Sequence, residues 1–353
     1  MPGSQTLLNG YRDWIARTTR ARGCCRGLVS LPRRRYNVEM NATAGVPVDG
    51  NRAEPVFIHG ILPRSGTNFI WDLLLLHPDC SRGRQPVNED LFLEHSDYLT
   101  AFATAVQNAW DPAWGSFTDD VGDRLYESIG DGLVSFLRTD LRRRLVTKNP
   151  SVRHLDRFFR FFPSARLLIL VRDGRSVVQS AMDTFGWDFD RACRAWSEAA
   201  RTVRHFQQTQ SARADRWRVI RYEDFVDDTE AQLRDVFEFL GLDAERYDFV
   251  AARNLPVRGS SAFGLQDGKV HWEVVPKDKT FTPKERWRSW SAAQRERFEW
   301  LAGEQLLDFG YTPSTRRFGL LDSARHTARD WGWVAWKTAR RALHRARLVS
   351  RCA

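Results

Sequence analysis

The segment Pro55–Pro78, with the sequence PVFIHGILPRSGTNFIWDLLLLHP, decides the predicted fold of this chain. It begins with a short apolar run, Val56–Ile58, which is typical of a buried β-strand. A polar turn follows, and apolar residues then recur at helical spacing up to Pro78, where the helix must stop because proline lacks the backbone donor. A strand, a glycine-bearing turn and a helix in this order aim backbone N–H groups at a bound anion.

The turn contains the residue types that an anion-binding loop needs. Gly66 lets the backbone approach a ligand closely, Ser65, Thr67 and Asn68 add side-chain donors, and Arg64 adds a cation. The loop is not a Walker A motif, because it lacks the lysine that precedes the final hydroxyl residue of that motif. We therefore predict a phosphate- or sulfate-binding loop of a different class.

The rest of the chain predicts an α/β fold with a parallel sheet. The runs typical of buried strands are Leu145–Thr147, Arg166–Val171 and Trp217–Arg221. Amphipathic stretches such as Leu133–Arg144 predict helices around them, and residues 79–98 predict a loop that leads into a helix. Alternating strands and helices form right-handed crossovers with helices on both faces of the sheet. Ligands of such sheets bind at the carboxyl ends of the strands, which is where the candidate residues fall.

The segment VRDGRSVVQS contains a second pattern that predicts anion binding. Arg172 ends a predicted strand, and Ser180 lies on the following helix, on the same face as Ser176. An arginine at a strand end and a serine on a helix face can converge on one anion, helped by the helix dipole. The alternative is structural: Arg172 pairs with Asp173 or another carboxylate, and Ser180 is a small buried residue.

Together, PRSGTN and VRDGR resemble the motifs of sulfotransferases that use 3′-phosphoadenosine 5′-phosphosulfate (PAPS), most of all the tyrosylprotein sulfotransferases and their bacterial relatives. The resemblance covers about residues 55–311 and implies a P-loop-type parallel sheet flanked by helices. It implies that the loop Arg64–Asn68 embraces the 5′-phosphosulfate, with Arg64 near the leaving oxygen, and that Arg172 and Ser180 bind the 3′-phosphate. PAPS is then the sulfuryl donor and the 3′,5′-bisphosphate, PAP, is its product. We expect no metal, because a sulfuryl group carries less charge than a phosphoryl group.

The resemblance also implies catalytic roles. Lys148, in TKNP, corresponds to a family lysine beside the transferring sulfuryl group, although an exposed ion pair would also explain it. The general base of the tyrosylprotein branch is a glutamate just after a glycine, but here Gly83 is followed by arginine and glutamine. We predict that Glu89 is the base, because a lengthened loop could bring it to the same place, with Asp90 and His95 as alternatives.

Three later segments are expected to support donor binding. Tyr222, in RYEDF, corresponds to a family tyrosine near the adenosine, and a place in the core is the alternative. Arg258 and Ser260 belong to a polar turn where family members close a loop over the 3′-phosphate. Lys277 matches a late family lysine in spacing. Closure of such a loop would exclude water from the donor.

Charge divides the chain of 353 residues into three predicted parts. The net charge is +10, but residues 1–38 hold eight arginines and one aspartate, and residues 316–353 hold ten basic residues and two aspartates. The remainder is slightly acidic, so the charge gives no reason to expect a nucleic-acid partner for the core. We predict a basic, partly helical extension over 1–54, a sulfotransferase domain over 55–315 and a basic helix over 316–353.

The cysteines and the hydropathy predict a cytoplasmic protein that is at most peripheral to a membrane. Five cysteines are scattered without metal-ligand spacing, which favours a reducing compartment: Cys24, Cys25, Cys80, Cys193 and Cys352. The chain has no signal-peptide-like apolar region at its start and no run of about 18 apolar residues.

The C-terminal region shows an apolar stripe among basic residues. Its members recur at steps of three and four residues: Leu321, Ala324, Ala328, Trp331, Ala335, Ala339, Ala342, Ala346 and Val349. A basic amphipathic helix with tryptophans can lie on an anionic membrane surface. The alternatives are that it packs on the domain or on a partner chain, and a homodimer is one form of the latter.

Two other functions stay open at this point. A P-loop nucleotide or sugar kinase would share the strand–turn–helix unit, but the missing Walker lysine and the pairing of Arg172 with Ser180 argue against it. A non-catalytic nucleotide-binding scaffold would fit the altered base position. The acceptor, whether a carbohydrate, lipid, peptide tyrosine or small metabolite, is not predicted, because the segments 79–140 and 240–290 that would shape its cleft follow no readable pattern.

Overall fold

The computed structural model describes residues 53–85, 89–110, 121–258, 274–275, 284–314 and 318–349. Within them lies a five-stranded parallel sheet in the order β2-β3-β1-β4-β5, which confirms the predicted α/β fold. Its strands are β1 (Val56–Gly60), β2 (Cys80–Arg82), β3 (Arg144–Asn149), β4 (Arg166–Val171) and β5 (Trp217–Arg221). A separate antiparallel pair consists of β6 (Val257–Arg258) and β7 (Val274–Val275).

Helices connect the strands and continue after the last one. In chain order they are α1 (Thr67–Leu75), α2 (Ser96–Ala109), α3 (Val121–Leu137), α4 (Phe158–Phe161), α5 (Gly174–Phe185), α6 (Phe189–Thr209), α7 (Tyr222–Asp227), α8 (Thr229–Leu240), α9 (Phe249–Arg253), α10 (Ala292–Asp308) and α11 (Leu320–Val349). A short 3₁₀ helix, Arg286–Ser289, precedes α10.

Two apolar layers enclose the sheet because successive strand residues point to opposite faces. On one face, Phe57 joins a buried cluster with Phe158 and with Trp196 of α6. On the other face, Ile58 joins a cluster with Trp71 of α1 and residues of α8. Both faces are therefore occupied by apolar packing, and polar side chains collect where the strands end.

Two sequence predictions about the elements were wrong. The predicted helix Leu133–Arg144 is displaced: α3 ends at Leu137, and Arg144 begins β3. After the helix, the Arg138 side chain donates to the carbonyls of Ala53 (2.5 Å) and Arg143 (3.4 Å), so this segment is held beside the start of β3. The segment predicted as a loop after Pro78 contains the edge strand β2, which pairs with β3.

The predicted C-terminal helix is present as α11, but the described part of its apolar stripe, up to Ala339, is exposed and does not pack on the domain. Leu321 and Trp331 are 86% and 76% exposed, whereas His326 on another face of the helix is buried. None of the helices within the described ranges is long and apolar enough to cross a membrane. The predicted N-terminal extension lies almost entirely outside the described residues.

Candidate active site

The loop between β1 and α1 is shaped by its own hydrogen bonds. The Ser65 hydroxyl donates to the Leu62 carbonyl (2.6 Å) and accepts from the Leu62 N–H (3.2 Å), so it closes the turn. The Ile61 N–H donates to the carbonyl of Leu170 on β4 (2.9 Å). Gly66 then caps α1 with a left-handed backbone, at a φ of 98°. The N-terminus of α1, the predicted anion-binding element, thus rises from a well-anchored turn.

Gly66 is required here by close contact as well as by its backbone angle. A Cβ at this position would lie 2.4 Å from Cδ2 of Tyr222, far inside van der Waals contact. Tyr222 is itself buried and meets Phe69 edge-on, with ring centroids 5.9 Å apart. Thr67 is buried and Asn68 is half-buried in the first turn of α1. Gly66, Thr67, Asn68 and Tyr222, which were predicted to bind the sulfuryl donor, therefore lie together at the start of α1.

Two arginines donate to Ser180, and a third joins them through the backbone of Arg64. Arg64 Nε and Arg286 Nη1 each donate to the Ser180 hydroxyl oxygen, both at 3.1 Å. Arg172 Nη1 donates to the backbone carbonyl of Arg64 (2.8 Å), and its guanidinium lies 4.4 Å over the ring of Tyr222. Arg172 and Ser180, predicted to act together, are thus joined through Arg64. We call Arg64, Arg172, Ser180 and Arg286 the arginine cluster.

The charges of the arginine cluster oppose one another. Burial, followed by the proximity of Arg172 and Arg286, lowers the pKa of Arg64 to about 10. Burial and then Arg172 also lower the pKa of Arg286, while Asp183, at 3.9 Å, acts in the opposite direction. Neighbouring guanidinium groups repel one another when they are ionised, and an anion bound among them would offset this repulsion. The cluster therefore has the electrostatics of an anion-binding site.

Sequence reasoning missed Arg286. Arg286 begins the 3₁₀ helix Arg286–Ser289, which is held against α5 by a cation–π contact. In this contact the guanidinium of Arg175 lies 4.0 Å from the ring centroid of Trp287. Arg175 is held in turn by Asp173, the N-cap of α5, at 2.7 Å. The segment KERWRSW contains several cations, and the tryptophan next to Arg286 is the signal in the sequence that could have distinguished it from the others.

Lys148 and Glu89 form a pair at the end of β3. Lys148 is only 2% exposed, and its Nζ donates to Oε1 of Glu89 at 3.3 Å. The two residues are also joined by a parallel β-bridge. The Glu89 side chain is 36% exposed, so it remains in reach of a ligand. This contact brings together the predicted catalytic lysine and the predicted base.

The two alternative bases have different surroundings. Asp90 is buried, accepts from the Thr147 hydroxyl (2.8 Å) and from the Phe92 N–H (3.0 Å), and burial raises its pKa to about 6. His95 precedes α2, and its ring lies 6.4 Å from that of Tyr98. Asp90 therefore fastens the segment that carries Glu89, whose carboxylate accepts the hydrogen bond from Lys148.

Two polar residues beside Lys148 were not predicted. His59 on β1 and Asn149 on β3 are register partners, and both are buried. Burial lowers the pKa of His59 to about 4, so its ring is neutral and donates from Nδ1 to the Ser151 carbonyl at 2.8 Å. Within the described part of the chain, the Asn149 amide has no hydrogen-bond partner. These residues add polar atoms to the carboxyl edge of the sheet.

Three predicted residues cannot be placed in the site. The backbone of Arg258 belongs to β6 and pairs with Val274, but its side chain, Ser260 and Lys277 lie outside what the structure describes. Among the described residues, no group of three or more His, Cys, Asp or Glu side chains could hold a metal ion.

The topology brings the two groups of polar residues to one edge. β1 lies between β3 and β4 in a parallel sheet, so the loop after β1, Lys148 near the end of β3 and Arg172 just after β4 share the carboxyl edge. One group is cationic and suited to anions, and the other pairs a lysine with a carboxylate. Such an edge can hold a charged ligand and transfer a proton beside it.

Comparisons with known proteins identify the family. A family model described as the sulfotransferase family matches residues 55–246. Protein-tyrosine sulfotransferase A of Caenorhabditis elegans is 25% identical over 202 residues, which are 54% of this chain and 51% of the relative. The chain therefore spans about half the length of the curated relative that it matches.

Solved structures of sulfotransferases are also similar. The sulfotransferase domain from the curacin biosynthetic pathway matches with a TM-score of 0.42 and 18% identity, over 73% of this chain and 98% of that domain. A sulfotransferase from Alicyclobacillus acidocaldarius matches with a TM-score of 0.40 and 17% identity, over 72% of this chain and 93% of that one. The family match spans more than half of the chain and confirms the resemblance inferred from PRSGTN and VRDGR. The chain belongs to the sulfotransferase family.

Proposed function

We propose that this protein transfers a sulfuryl group from PAPS to a hydroxyl group of an acceptor. The observation that carries the proposal is the arginine cluster, in which Arg64 and Arg286 both donate to Ser180 beside the N-terminus of α1. A buried group of like charges favours a ligand with several negative charges. Family membership supports the same reading.

PAPS suits the site because it carries anions at two positions. The 5′-phosphosulfate would bind at the start of α1, where backbone N–H groups and the helix dipole favour negative charge. The 3′-phosphate would bind at Arg172, Ser180 and Arg286, since guanidinium groups bind phosphate through charge-assisted hydrogen bonds. ATP has no 3′-phosphate, so the cluster would discriminate between the two nucleotides.

The chemistry assigned to Lys148 and Glu89 is an in-line displacement at sulfur. The acceptor oxygen forms a bond to sulfur while the bond from sulfur to the bridging phosphate oxygen breaks, and PAP leaves with the bonding electrons. Glu89 accepts the proton of the acceptor hydroxyl, and Lys148 stabilises the charge that develops on the leaving oxygen. Their separation of 3.3 Å supports this division of roles, because each holds the other at the edge of the sheet.

The acceptor stays a matter for experiment. The curated relative is named a protein-tyrosine sulfotransferase, which makes a peptide tyrosine one acceptor to test beside carbohydrate, lipid and small-metabolite hydroxyls. A transfer assay with labelled PAPS against a host extract, followed by mass identification of the sulfated product, would reveal the class.

Nucleotide binding tests the donor directly. Calorimetry should show that PAP binds more tightly than ATP without added Mg²⁺, and that Arg172→Ala abolishes the preference. Equal affinity for ATP together with dependence on Mg²⁺ would favour a kinase and overturn the proposal. Binding of PAP without any hydrolysis of PAPS or transfer from it would favour a non-catalytic scaffold.

A further inference from the structure

The C-terminal helix α11 is attached to the domain through a polar face. The Asp330 carboxylate accepts from Arg297 Nη2 (2.6 Å) and from the indole N–H of Trp300 (2.9 Å), both on α10. His326 is buried on the same side, with its Nε2 3.1 Å from a carboxylate oxygen of Glu296. Hydrogen bonds, ion pairs and the stacking of the His326 ring on Trp300, with centroids 5.2 Å apart, therefore orient this helix.

The opposite face of α11 is apolar and exposed. At 100° per residue, Leu321 and Trp331 each lie about 140° around the helix from His326, and Leu321 lies opposite Asp330. Leu321 and Trp331 are 86% and 76% exposed. The stripe between and beyond them consists of exposed alanines: Ala324, Ala328, Ala335 and Ala339. Val334, on the flank of the stripe, is 60% exposed. The domain thus presents the apolar side of an amphipathic helix outward.

The segment 334–339 of α11 has little support from the domain. All described side chains over 334–339 are exposed, yet helical backbone continues to Val349. A helix without tertiary packing is only marginally stable in water. A surface that accepts the apolar stripe would therefore stabilise this segment.

The charge of α11 indicates the kind of surface. Residues 320–349 contain seven Lys and Arg residues and two Asp residues, so the helix is strongly cationic. An isologous contact between two copies would bring these cations against each other, which is unfavourable. A nucleic acid would neutralise the cations but would offer no apolar phase to Leu321 and Trp331. An anionic lipid surface offers negative headgroups to the cations and an apolar layer to the stripe.

We propose that α11 binds the surface of an anionic lipid bilayer, with the stripe from Leu321 to Ala339 in the headgroup region and the cations among the lipid phosphates. The polar contacts of Asp330 and His326 fix the orientation of the domain relative to that surface. The inference stands independently of the sulfuryl donor, because none of the residues that carry it belongs to the arginine cluster.

Co-sedimentation of the full chain with vesicles tests the proposal. We expect binding to phosphatidylcholine vesicles that contain about 30% phosphatidylglycerol, and little binding to phosphatidylcholine alone. Raising the salt from about 0.1 M to about 0.5 M should weaken binding, because it shortens the Debye length. The double variant Leu321→Gln/Trp331→Gln should bind about tenfold more weakly or worse, because both side chains lose apolar burial.

The matched control is Leu307→Gln, which changes a leucine on α10 that is 62% exposed but lies outside the stripe. It should bind vesicles like the wild type, and circular dichroism should confirm that both variants fold. Equal binding to neutral and anionic vesicles, or a double variant that binds like the wild type, would overturn the proposal. So would absence of vesicle binding accompanied either by a dimer that the double variant abolishes or by binding to a polynucleotide.

Discussion

Replacing Arg286 by alanine should separate anion binding from stability. Without ligand, its guanidinium is buried beside Arg172, and both effects lower its pKa, so the charge is unfavourable where it lies. Removal of the Arg286 guanidinium relieves its repulsion with Arg172 but also removes its hydrogen bond to the Ser180 hydroxyl (3.1 Å). We expect the free energy of unfolding of the ligand-free variant to stay within about 1 kcal/mol of the wild type, because the two effects oppose each other.

With PAP bound, the same substitution should be costly. A charge-assisted hydrogen bond is worth about 1.5–3 kcal/mol, and a loss of about 2 kcal/mol weakens binding about 30-fold. At a PAP concentration of about 100 times the wild-type Kd, the ligand stabilises the wild type by about 2.7 kcal/mol and the variant by about 0.9 kcal/mol. Thermal unfolding should therefore show ligand-induced shifts of about 4 °C and about 1 °C, and calorimetry measures the affinities directly.

Arg288→Ala is the matched control, because Arg288 lies on the same 3₁₀ helix and its side chain is 76% exposed, against 15% for Arg286. It should bind PAP like the wild type. If both variants lose affinity equally, the effect is general electrostatic attraction and the assigned role of Arg286 is wrong. An Arg286→Ala variant with unchanged PAP affinity would refute it outright.

Three other substitutions test the rest of the site. Glu89→Gln should retain PAP affinity but lose transfer from PAPS by about 100-fold or more; a fully active variant would move the base to Asp90 or His95. Gly66→Ala should lower the free energy of unfolding in urea by about 2 kcal/mol or more, because its φ is 98° and its Cβ would meet the Tyr222 ring at 2.4 Å, and unchanged stability would contradict this packing. Burial raises the pKa of Asp90 to about 6, so the folded state binds its proton more tightly than the unfolded state does. The proton on Asp90 therefore contributes at most about 3 kcal/mol of stability, which is present below about pH 4 and is lost as the pH rises through about 6. Urea unfolding at several pH values should show that the free energy of unfolding of Asp90→Asn depends less on pH than that of the wild type. The same pH dependence in both proteins would argue against this burial effect.

Local sequence signals predicted the centre of the fold. The strand β1, the turn with Gly66 and the helix α1 follow from a short apolar run, a glycine and helical periodicity, all within one segment. β4 and β5 were predicted with the bounds that the structure shows, Arg166–Val171 and Trp217–Arg221, because each is a compact apolar run. These elements depend on interactions between neighbours in the chain, which a sequence displays directly.

Contacts between distant segments were less accessible. Arg286 lies 106 residues from Ser180 in the chain. Its segment is held near that serine by the packing of Trp287 on Arg175 and by the hydrogen bond from Trp290 to Gln179. No periodicity marks one arginine among several. The contact between Glu89 and Lys148 likewise depends on a β-bridge between a loop and a strand, so the sequence could suggest the carboxylate but not its distance.

The loop residue Arg64 supplies the strongest argument that the arginine cluster serves a ligand. Its φ is 80°, in the left-handed region that costs a non-glycine residue about 1 kcal/mol or more. Its pKa, lowered to about 10 chiefly by burial and then by Arg172 and Arg286, corresponds to at most about 3 kcal/mol against the charged form. The backbone cost and the electrostatic cost fall on one residue in the loop before α1, where neither improves the packing of the core. An anion bound there would reduce the electrostatic cost, so we expect inorganic sulfate alone to raise the melting temperature of the wild type more than that of Arg64→Ala.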